Sequence, residues 1–350
     1  MKIALITGSC GLVGSESSIF FSKKGFKIIG IDNNTRKFFF GKDGDISWIK
    51  NKLKKKLKNY NHVNIDIRNY ISLKKIFIKY KKNIKLIIHA AAQPSHDWAK
   101  NQPFIDFDIN AKGTLNLLEL TKSYCPEAPF IFMSTNKVYG DNPNLLPLIE
   151  KKTRWEIKSA HKYKSGIDET MSIDNCTHSF FGTSKSYADL IVQEYGRNIG
   201  LKTACFRAGC ITGPNHSGAK LHGFLSYLVK SSLQSKKYSL IGYKGKQVRD
   251  NIHSQDLVAC FWEFYKKPKK GKVYNAGGGR YSNCSIIEAL NKVQKITGIR
   301  IKKKIIKQNR TGDHIWYVTN MKKFKKDYPG WKQKYSTEKI IKELIVQFSN

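Results

Sequence analysis

Short apolar runs alternate with longer amphipathic stretches over the first part of the chain. The amphipathic stretches Phe104–Ser123 and Thr183–Asn198 carry apolar residues near a 3.6-residue period, which predicts helices. Strands that alternate with helices are typical of an α/β fold with a doubly wound, parallel Rossmann sheet. The runs that predict its strands are Ile3–Thr7, Lys27–Asp32, His62–Asp66, Lys85–His89, Pro129–Ser134 and Lys202–Arg207.

Beyond Arg207 the pattern loosens. We expect residues 1–208, with a returning segment near 244–266, to form the sheet domain, and residues 209–350 to form mainly a smaller mixed α/β lobe. The helices predicted there are Ala219–Ser235, Ser254–Lys266, Ser285–Thr297 and Thr337–Phe348, and the short strands are Tyr238–Ile241, Val273–Asn275 and Lys302–Ile306.

Two stretches interrupt the alternation in the first part. Arg36–Tyr60 is rich in lysine and predicts partly helical structure, and Asn142–Thr177 is polar and rich in turn residues. The second stretch follows the fifth predicted strand. Because ligands of such sheets bind beyond the carboxyl ends of the strands, we expect Asn142–Thr177 to cover a binding site.

A glycine turn follows the first strand, and an acid ends the second. The glycines are Gly8, Gly11 and Gly14, and Asp32 lies 18 residues beyond the last of them. Such glycines let backbone N–H groups approach a pyrophosphate, and the following helix N-terminus supplies positive potential. The Asp32 carboxylate can accept both ribose hydroxyls and would repel a 2′-phosphate, so we predict NAD as the cofactor. The cofactor residues expected in this unit are Gly8, Gly11, Leu12, Val13, Gly14, Asp32, Asn33 and Arg36.

Three more clusters follow the later strands. Asp66 and Ile67 come after the third strand, where a carboxylate can reach an adenine amino group. Small residues after the fourth strand, Ala90, Ala91 and Ala92, let the backbone pass close to the cofactor. Hydroxyl groups and a lysine follow the fifth strand, in the run from Ser134 to Asp141. We include Ser134 among the cofactor-binding residues.

The composition limits the possible classes of protein. No apolar stretch reaches the roughly 20 residues that cross a bilayer, and a strand begins directly at the N-terminus, so we expect neither a membrane segment nor export. The seven cysteines are scattered without a CxxC pair, which favours reduced thiols in the cytoplasm. No group of residues has the spacing of metal ligands, and we expect no metal.

The net charge of +37 raises the question of a nucleic-acid partner. The lysine runs lie on several predicted helices and loops rather than on one stripe with interleaved aromatic residues. We therefore interpret the charge as a solvated surface that attracts an anionic substrate, and not as a primary nucleic-acid interface.

These motifs together resemble the extended short-chain dehydrogenase/reductase superfamily, in particular its sugar-nucleotide epimerases and dehydratases. The resemblance covers nearly the whole chain and is weakest in the two interrupting stretches. Within the family, the chain is most similar to the CDP-paratose (CDP-tyvelose) 2-epimerases. The segments that carry the likeness are Ser134–Asp141, Gly245–His253, Tyr274–Gly278 and Arg310–Asp313.

The resemblance implies roles for individual residues. Thr135 takes the catalytic Ser/Thr position, and Lys185 takes that of the lysine that holds the nicotinamide ribose. Arg249 and Arg310 would clamp the substrate diphosphate, a task suited to guanidinium groups. Further substrate-binding residues are Gln93, Asn136, Lys137 and Asp313, and Asn110 is a further cofactor-binding residue. The family also implies a homodimer formed through the helices Phe104–Ser123 and Thr183–Asn198.

One position departs from the family pattern. The tyrosine that transfers a proton normally stands four residues before the lysine, and here that position holds Phe181. Tyr187 lies two residues after Lys185 and points about 200° away from it around the helix, so it cannot replace the tyrosine. We expect Lys185 itself to move the proton, with Thr135 as a relay, because burial beside the cationic nicotinamide lowers a lysine pKa. The other candidates are His178, His96 and Lys137.

The sequence thus predicts an NAD-dependent epimerase of a nucleotide-diphosphate sugar, most similar to enzymes that invert C2 of a CDP-linked hexose. Oxidation to a keto-sugar and return of hydride to the opposite face would invert the centre without net redox change. One alternative is a sugar-nucleotide 4,6-dehydratase or an epimerase acting at another carbon. An alternative from another class is a catalytically silent member of the fold that senses NAD or binds RNA.

Overall fold

The computed structural model describes residues 1–216, 223–309 and 312–349. The strands are β1 Ile3–Thr7, β2 Lys27–Ile31, β3 Tyr60–Val63, β4 Ile84–His89, β5 Phe130–Thr135, β6 Leu148–Glu150, β7 Trp155–Ile157, β8 Thr203–Ala208, β9 Cys210–Thr212, β10 Tyr238–Ile241, β11 Val248–His253, β12 Lys272–Ala276, β13 Asn283–Ser285, β14 Lys303–Ile306 and β15 Trp316–Tyr317. The α-helices are α1 Leu12–Lys23, α2 Thr35–Phe40, α3 Ser47–Lys56, α4 Tyr70–Tyr80, α5 His96–Asn101, α6 Pro103–Phe107, α7 Gly113–Tyr124, α8 Phe180–Arg197, α9 Phe224–Leu233, α10 Ser254–Lys266, α11 Ile286–Thr297, α12 Lys322–Asp327 and α13 Thr337–Ser349.

A seven-stranded parallel sheet in the order β12-β8-β5-β4-β1-β2-β3 confirms the predicted doubly wound α/β fold. The buried apolar side chains of β1 and β4 show why these short runs form central strands, since both faces of the sheet are covered. The strand order reverses between β1 and β4. This reversal opens a crevice at the carboxyl ends of the two strands, where ligands of such sheets bind.

The predicted strands agree with the observed ones to within one residue, except at β3. That strand begins at Tyr60 rather than His62 and ends at Val63, so Asp66 lies in the loop beyond it. A second difference concerns the short strand predicted at Val273–Asn275 in the smaller lobe. It forms β12 and lies at the edge of the large sheet beside β8.

The predicted helix Phe104–Ser123 is α6 and α7 joined by a π-helical turn, Asp108–Lys112. π-helical turns inside α-helices frequently occur at functional sites. This one contains Asn110, whose side chain is buried. The Lys-rich stretch after β2 is partly helical, as expected, and forms α2 and α3.

The chain divides into two compact units. Unit 1 contains residues 1–138, 180–207 and 258–274, and unit 2 contains residues 139–179, 208–257 and 275–350. The division differs from the predicted boundaries because the polar stretch after β5 groups with unit 2, and because the segment that returns to unit 1 begins at Val258.

Each unit has its own apolar core. In unit 1 the core includes residues of the large sheet together with residues of α4, α7 and α8. In unit 2 the core joins α9, α11 and α13 to β10. Unit 2 also contains the parallel pair β10–β14 and the sheet β13-β11-β15, in which β9 also pairs with β11. The Ser285 capping box begins α11 where the sequence predicts a helix start.

Two further properties bear on the expectations from composition. All seven cysteines are free thiols. Within the part of the chain that the structure describes, no helix is both long and apolar enough to cross a membrane.

A buried ion pair attaches α8 to the sheet of unit 1. The carboxylate of Asp189 accepts hydrogen bonds from Nη2 of Arg207 at 2.7 Å and from Nε at 3.1 Å. It also accepts from the Ser134 hydroxyl and from the Gln193 side-chain amide. The exposed fraction of Asp189 is 1%, so its charge depends on these partners rather than on water. The pair therefore fixes α8 against β5 and β8.

Replacing Asp189 by Asn should destabilise the protein severely. The substitution keeps the shape but leaves the buried Arg207 guanidinium without a counter-charge, which costs about 3–5 kcal/mol of the free energy of unfolding. Urea denaturation followed by circular dichroism measures this difference. The matched control is Glu338→Gln at the exposed Glu338–Lys342 pair, which should change little. Equal effects of the two substitutions would contradict the importance of the buried pair.

Candidate functional site

The glycine turn between β1 and α1 leaves no room for side chains. A Cβ at Gly14 would lie 2.0 Å from the Gly8 carbonyl oxygen, and one at Gly8 would lie 2.7 Å from the Ala91 nitrogen. Gly8 also has φ +64°, a conformation that favours glycine. The turn thus brings the backbone after β1 next to the backbone after β4, at the crevice where the strand order reverses.

The N-terminus of α1 has the properties of an anion site. The helix begins at Leu12, Gly11 precedes it without a side-chain cap, and its first turn contains no acidic residue. Backbone N–H groups and the helix dipole therefore offer partial positive charge to a phosphate. This is the placement predicted for Gly8, Gly11, Leu12, Val13 and Gly14.

Asp32 follows β2 at the neighbouring strand end. Its carboxylate accepts hydrogen bonds from the backbone N–H of Cys10 at 2.9 Å and of Asn34 at 2.8 Å. Burial raises the pKa of Asp32, and the two backbone N–H groups oppose that shift. Each carboxylate oxygen retains lone-pair capacity beyond its one backbone bond, so the group can also accept ribose hydroxyls.

The residues expected near the adenine are already engaged with each other. Arg68 donates two side-chain hydrogen bonds to Asp66, at 3.0 and 2.8 Å. Asn33 donates to the same carboxylate at 3.1 Å. Ile67 is buried next to the α-carbon of Gly113. Contact of Asp66 with an adenine amino group therefore stays a prediction, and any such contact would have to share the carboxylate with Arg68.

Arg36 lies on α2, the short helix that follows Asn33. Its guanidinium carbon stands 4.8 Å from the centre of the Phe40 ring. Burial lowers the pKa of Arg36 to about 10, which still leaves the group charged at neutral pH. A positive charge suits the phosphate part of a dinucleotide, and the role of Arg36 in cofactor binding stays a prediction.

The loop after β4 is held by a buried histidine. His89 makes hydrogen bonds with the hydroxyl groups of Thr7 at 2.7 Å and Thr114 at 3.0 Å. Burial, and then the charge of Lys185, lower the pKa of His89 to about 3, so the ring stays neutral. His89 thus joins the end of β4 to Thr7 of β1 and to Thr114 of α7.

Gln93 and Asn110 form one buried polar network. The side-chain oxygen of Asn110 accepts the backbone N–H of Gln93 at 3.0 Å, and its amide donates to the Gln93 carbonyl at 3.1 Å. The same amide donates to the Ser184 hydroxyl on α8 at 3.1 Å. The Gln93 amide donates to Asp106 at 2.8 Å and to the Ser95 carbonyl at 2.9 Å. Both side chains are therefore held in place inside unit 1. The contacts of Gln93 with substrate and of Asn110 with cofactor stay predictions.

Thr135 and Lys185 are brought to the same end of β5. Thr135 is the last residue of β5, and its hydroxyl accepts the backbone N–H of Lys137 at 3.2 Å. Nζ of Lys185 donates to the carbonyl of Met133 at 2.7 Å and lies 4.1 Å from the centre of the Phe132 ring. Burial lowers the pKa of Lys185 to about 8, while the charge of Asp189 opposes that shift.

The residues that flank Thr135 have different exposures. Ser134 is buried and donates to Asp189, so its hydroxyl helps to fix α8. Asn136 is also buried, whereas Lys137 is half-buried in the turn after β5. The cofactor role of Ser134 and the substrate roles of Asn136 and Lys137 stay predictions.

Phe181 lies on the face of α8 that also carries Lys185. Its exposed fraction is 7%, and its ring meets the ring of His96 edge to face, with the centroids 4.9 Å apart. Tyr187 lies on a different part of the helix, against Phe107, as the helical direction predicts. His178 belongs to unit 2, where its ring bonds the Ile173 carbonyl at 2.9 Å.

Unit 2 contains a second polar cluster. Nη2 of Arg249 pairs with the carboxylate of Asp313, and Nη1 donates to the Val248 carbonyl at 2.8 Å. The charge of Asp313 contributes to the raised pKa of Tyr243, after burial as the larger cause. Arg249 is therefore a buried, oriented guanidinium rather than a mobile surface side chain. Arg310, the other predicted clamp residue, lies outside the described residues.

Sequence reasoning missed three charged or polar residues that shape these clusters, namely Asp106, Asp189 and Tyr243. A signal existed for Asp189, which stands four residues after Lys185 and therefore on the same helix face. An acid on an otherwise buried face indicates a buried partner. Asp106 accepts hydrogen bonds from Asn110, four residues later, and from Gln93. The Asp313 carboxylate that acts on Tyr243 is distant in sequence, and no local pattern indicates it.

Residues 4–277 match the family model described as the NAD dependent epimerase/dehydratase family, and the chain belongs to this family. NAD is its cofactor, in agreement with the turn that excludes side chains, the open helix N-terminus and the Asp32 carboxylate. The residues present thus fit the dinucleotide.

Relatives of known name agree with this assignment. The CDP-paratose 2-epimerase of Salmonella typhi is 29% identical, with 98% of each chain covered. The UDP-glucuronate 4-epimerase of Thermodesulfobacterium geofontis is 25% identical, over 99% of this chain and 95% of the relative. Among solved structures, the dTDP-glucose 4,6-dehydratase of Bacillus anthracis in complex with NAD has a TM-score of 0.77 at 22% identity, covering 100% of this chain and 97% of that one. The family thus includes both epimerases and dehydratases of nucleotide sugars.

Asp32→Ala should weaken NAD binding about 10- to 100-fold and reduce the discrimination against NADP. The loss follows from hydrogen bonds to a charged group, which contribute about 1.5–3 kcal/mol. Denaturing the purified protein and separating the released nucleotides by chromatography measures both effects. Asp43→Ala, an exposed acid nearby, is the control and should retain NAD. Recovery of mainly NADP(H) from the wild type would overturn the assigned role of Asp32.

Proposed function

We propose that the protein epimerises a nucleotide-diphosphate sugar, at C2 of a CDP-linked hexose, as in the conversion of CDP-paratose to CDP-tyvelose. The observation that carries the proposal is the placement of Thr135 and Lys185 together at the end of β5, in the unit that holds the glycine turn. The name of the 29% identical relative supports the choice of base and carbon.

Inversion of the sugar carbon requires oxidation because the C–H bond of a sugar carbinol is too weakly acidic for direct deprotonation. NAD supplies the reversible acceptance and return of hydride. Thr135 is suited to bind the oxygen that becomes a carbonyl, since its hydroxyl lies at the carboxyl edge of the sheet. Lys185, fixed by Met133, is suited to orient the ribose and to stabilise negative charge on that oxygen.

The polar cluster of unit 2 supports a diphosphate substrate. Arg249 is held by Asp313 and by a backbone carbonyl, so its planar fork is already oriented before an anion arrives. An oriented guanidinium loses less side-chain entropy on binding a phosphate than a free one does. We therefore assign Arg249, with Arg310 and Asp313, to the recognition of the diphosphate.

The alternatives within the family are a 4,6-dehydratase and an epimerase for another carbon. Dehydratases usually place an Asp-Glu pair directly after the catalytic hydroxyl, and here Asn136 and Lys137 follow Thr135. Neither residue matches that acidic pair. A catalytically silent protein would have no need of an oriented diphosphate clamp, and Arg249 argues against that alternative.

We also propose a cytoplasmic homodimer. The seven free thiols favour a reducing compartment. Large apolar side chains are exposed on α6 and α8, including Phe104 at 87% and Leu190 at 45%. Exposed apolar groups on neighbouring helices are typical of an interface between protein chains. A molar mass in solution equal to that of one chain would contradict the proposed dimer.

Incubation with a panel of CDP-, UDP- and GDP-sugars tests the function directly. We expect the anomeric and C2 proton signals of a CDP-hexose to be replaced by those of its C2 epimer in the NMR spectrum, without added NAD. Loss of water from the sugar would identify a dehydratase instead. No change in any member of the panel would reject the proposed function.

Arg249→Ala should weaken sugar-nucleotide binding by about 1–3 kcal/mol and leave the NAD content unchanged, because the clamp acts on the diphosphate alone. Isothermal titration with CDP-glucose measures the affinity, and nucleotide release measures the bound NAD. The matched control is Arg300→Ala, at an exposed arginine. Equal affinities of the two variants would remove Arg249 from the binding site.

A further inference from the structure

The position of the missing tyrosine holds a phenyl ring, and an imidazole lies beside that ring. Phe181 occupies the tyrosine position on α8, and its ring meets the His96 ring at a centroid distance of 4.9 Å and an interplanar angle of 65°. A phenyl ring accepts and donates no proton, whereas imidazole does both near neutral pH. The contact therefore brings a proton-transfer group next to the position that lost one.

His96 is the first residue of α5, at the carboxyl edge of the large sheet. The preceding loop carries Ala90 to Ala92, which the glycine turn approaches closely. Ser95 caps α5 by accepting the backbone N–H of Trp98 at 3.3 Å. His96 is half-buried, so its ring is not sealed in the core. The residue thus lies on the same sheet edge as Thr135.

A buried network fixes this segment against α8. The Gln93 side chain bonds Ser95 in both directions, since its amide donates to the Ser95 carbonyl and its oxygen accepts the Ser95 N–H. Asn110 bonds the Gln93 backbone and donates to Ser184 on α8. The backbone that carries His96 is therefore connected by hydrogen bonds to the helix that carries Phe181 and Lys185.

Lys185, His89 and His178 each make hydrogen bonds to groups of the protein. Lys185 donates to the Met133 carbonyl at 2.7 Å, and its exposed fraction is 3%. His89 is buried between two hydroxyl groups. The His178 ring bonds a carbonyl of its own loop in unit 2. His96 combines a half-buried imidazole with direct contact to the altered position.

We propose that His96 is the proton acceptor and donor of the reaction, in place of the tyrosine. This inference rests on the proposed function. When the sugar is oxidised, the hydroxyl O–H bond breaks and its proton forms an N–H bond on the imidazole. The hydrogen of the carbon passes with its electron pair to the nicotinamide, and a C=O bond forms. On return of the hydride to the opposite face, the imidazolium gives its proton back to the oxygen. Lys185 keeps the role of orienting the ribose.

The decisive variants are His96→Gln, alone and together with Phe181→Tyr. The single substitution should lower turnover of the panel sugar that the wild type converts by about 10²–10⁴-fold, because a positioned acid/base contributes that much. Its NAD content and its urea unfolding should match the wild type. Restoring the tyrosine in the double variant should recover most of the lost turnover, and added imidazole should partly rescue the single variant. A merely structural histidine would show neither recovery.

A second readout is independent of turnover. In protein labelled with ¹⁵N-histidine, the His96 ring signals, assigned by their absence in His96→Gln, should shift when CDP-glucose is added. His161→Gln is the matched control, since this ring accepts a backbone N–H in unit 2 and should be dispensable.

The outcomes separate the two proposals. If the wild type converts a panel sugar and His96→Gln retains full turnover, the proposed role of His96 is wrong and the proposed function stands. If Lys185→Arg then keeps its NAD and loses turnover, Lys185 is the proton-transfer group. Unchanged His96 signals on addition of CDP-glucose also overturn the inference. If the wild type converts no sugar in the panel, the proposed function is wrong, and the proposed role of His96 is wrong with it.

Discussion

One face of α8 carries Phe181, Lys185 and Asp189 at intervals of four residues, and the position of that face on the sheet is set by the buried pair of Asp189 with Arg207. Because Asp189 also accepts the Ser134 hydroxyl, the pair joins α8 to the strand that ends in Thr135. Lys185 reaches the Met133 carbonyl of the same strand. The relative placement of hydroxyl, amine and phenyl groups therefore depends on one desolvated ion pair, whose charges have no water to replace a lost partner.

That scaffold keeps the geometry of the family while one functional group is exchanged. Phe181 is buried on this face but offers no exchangeable proton. Burial lowers the pKa of Lys185 to about 8, and its amine is held by a hydrogen bond to the Met133 carbonyl, a fixed position that suits electrostatic stabilisation. The imidazole of His96 packs on the phenyl edge and restores proton-transfer capacity nearby. Function can thus move to a neighbouring side chain while the backbone remains in place.

The sheet, the glycine turn and Asp32 were predictable because their patterns are local: alternating apolar runs, three glycines and an acid at a fixed spacing. The exchange at Phe181 was visible for the same reason. The pairing of β12 with β8 was not predictable, since a three-residue apolar run does not specify its neighbour. The use of Gln93 and Asn110 inside the protein, and the contact of His96 with Phe181, join residues distant in sequence. Such contacts follow from the packing of α5, the π-helical turn and α8, which no single segment encodes.

We propose that the protein inverts a sugar carbon by removing and returning the same hydrogen. Epimerisation in D₂O, followed by mass spectrometry and NMR of the product, tests it most directly. Hydrogen that leaves as hydride and returns from the bound cofactor does not exchange with solvent, whereas a deprotonated carbon takes up deuterium on reprotonation. We predict a product epimer without deuterium at the inverted carbon. One deuterium at that carbon would show instead that the carbon is deprotonated and reprotonated from solvent.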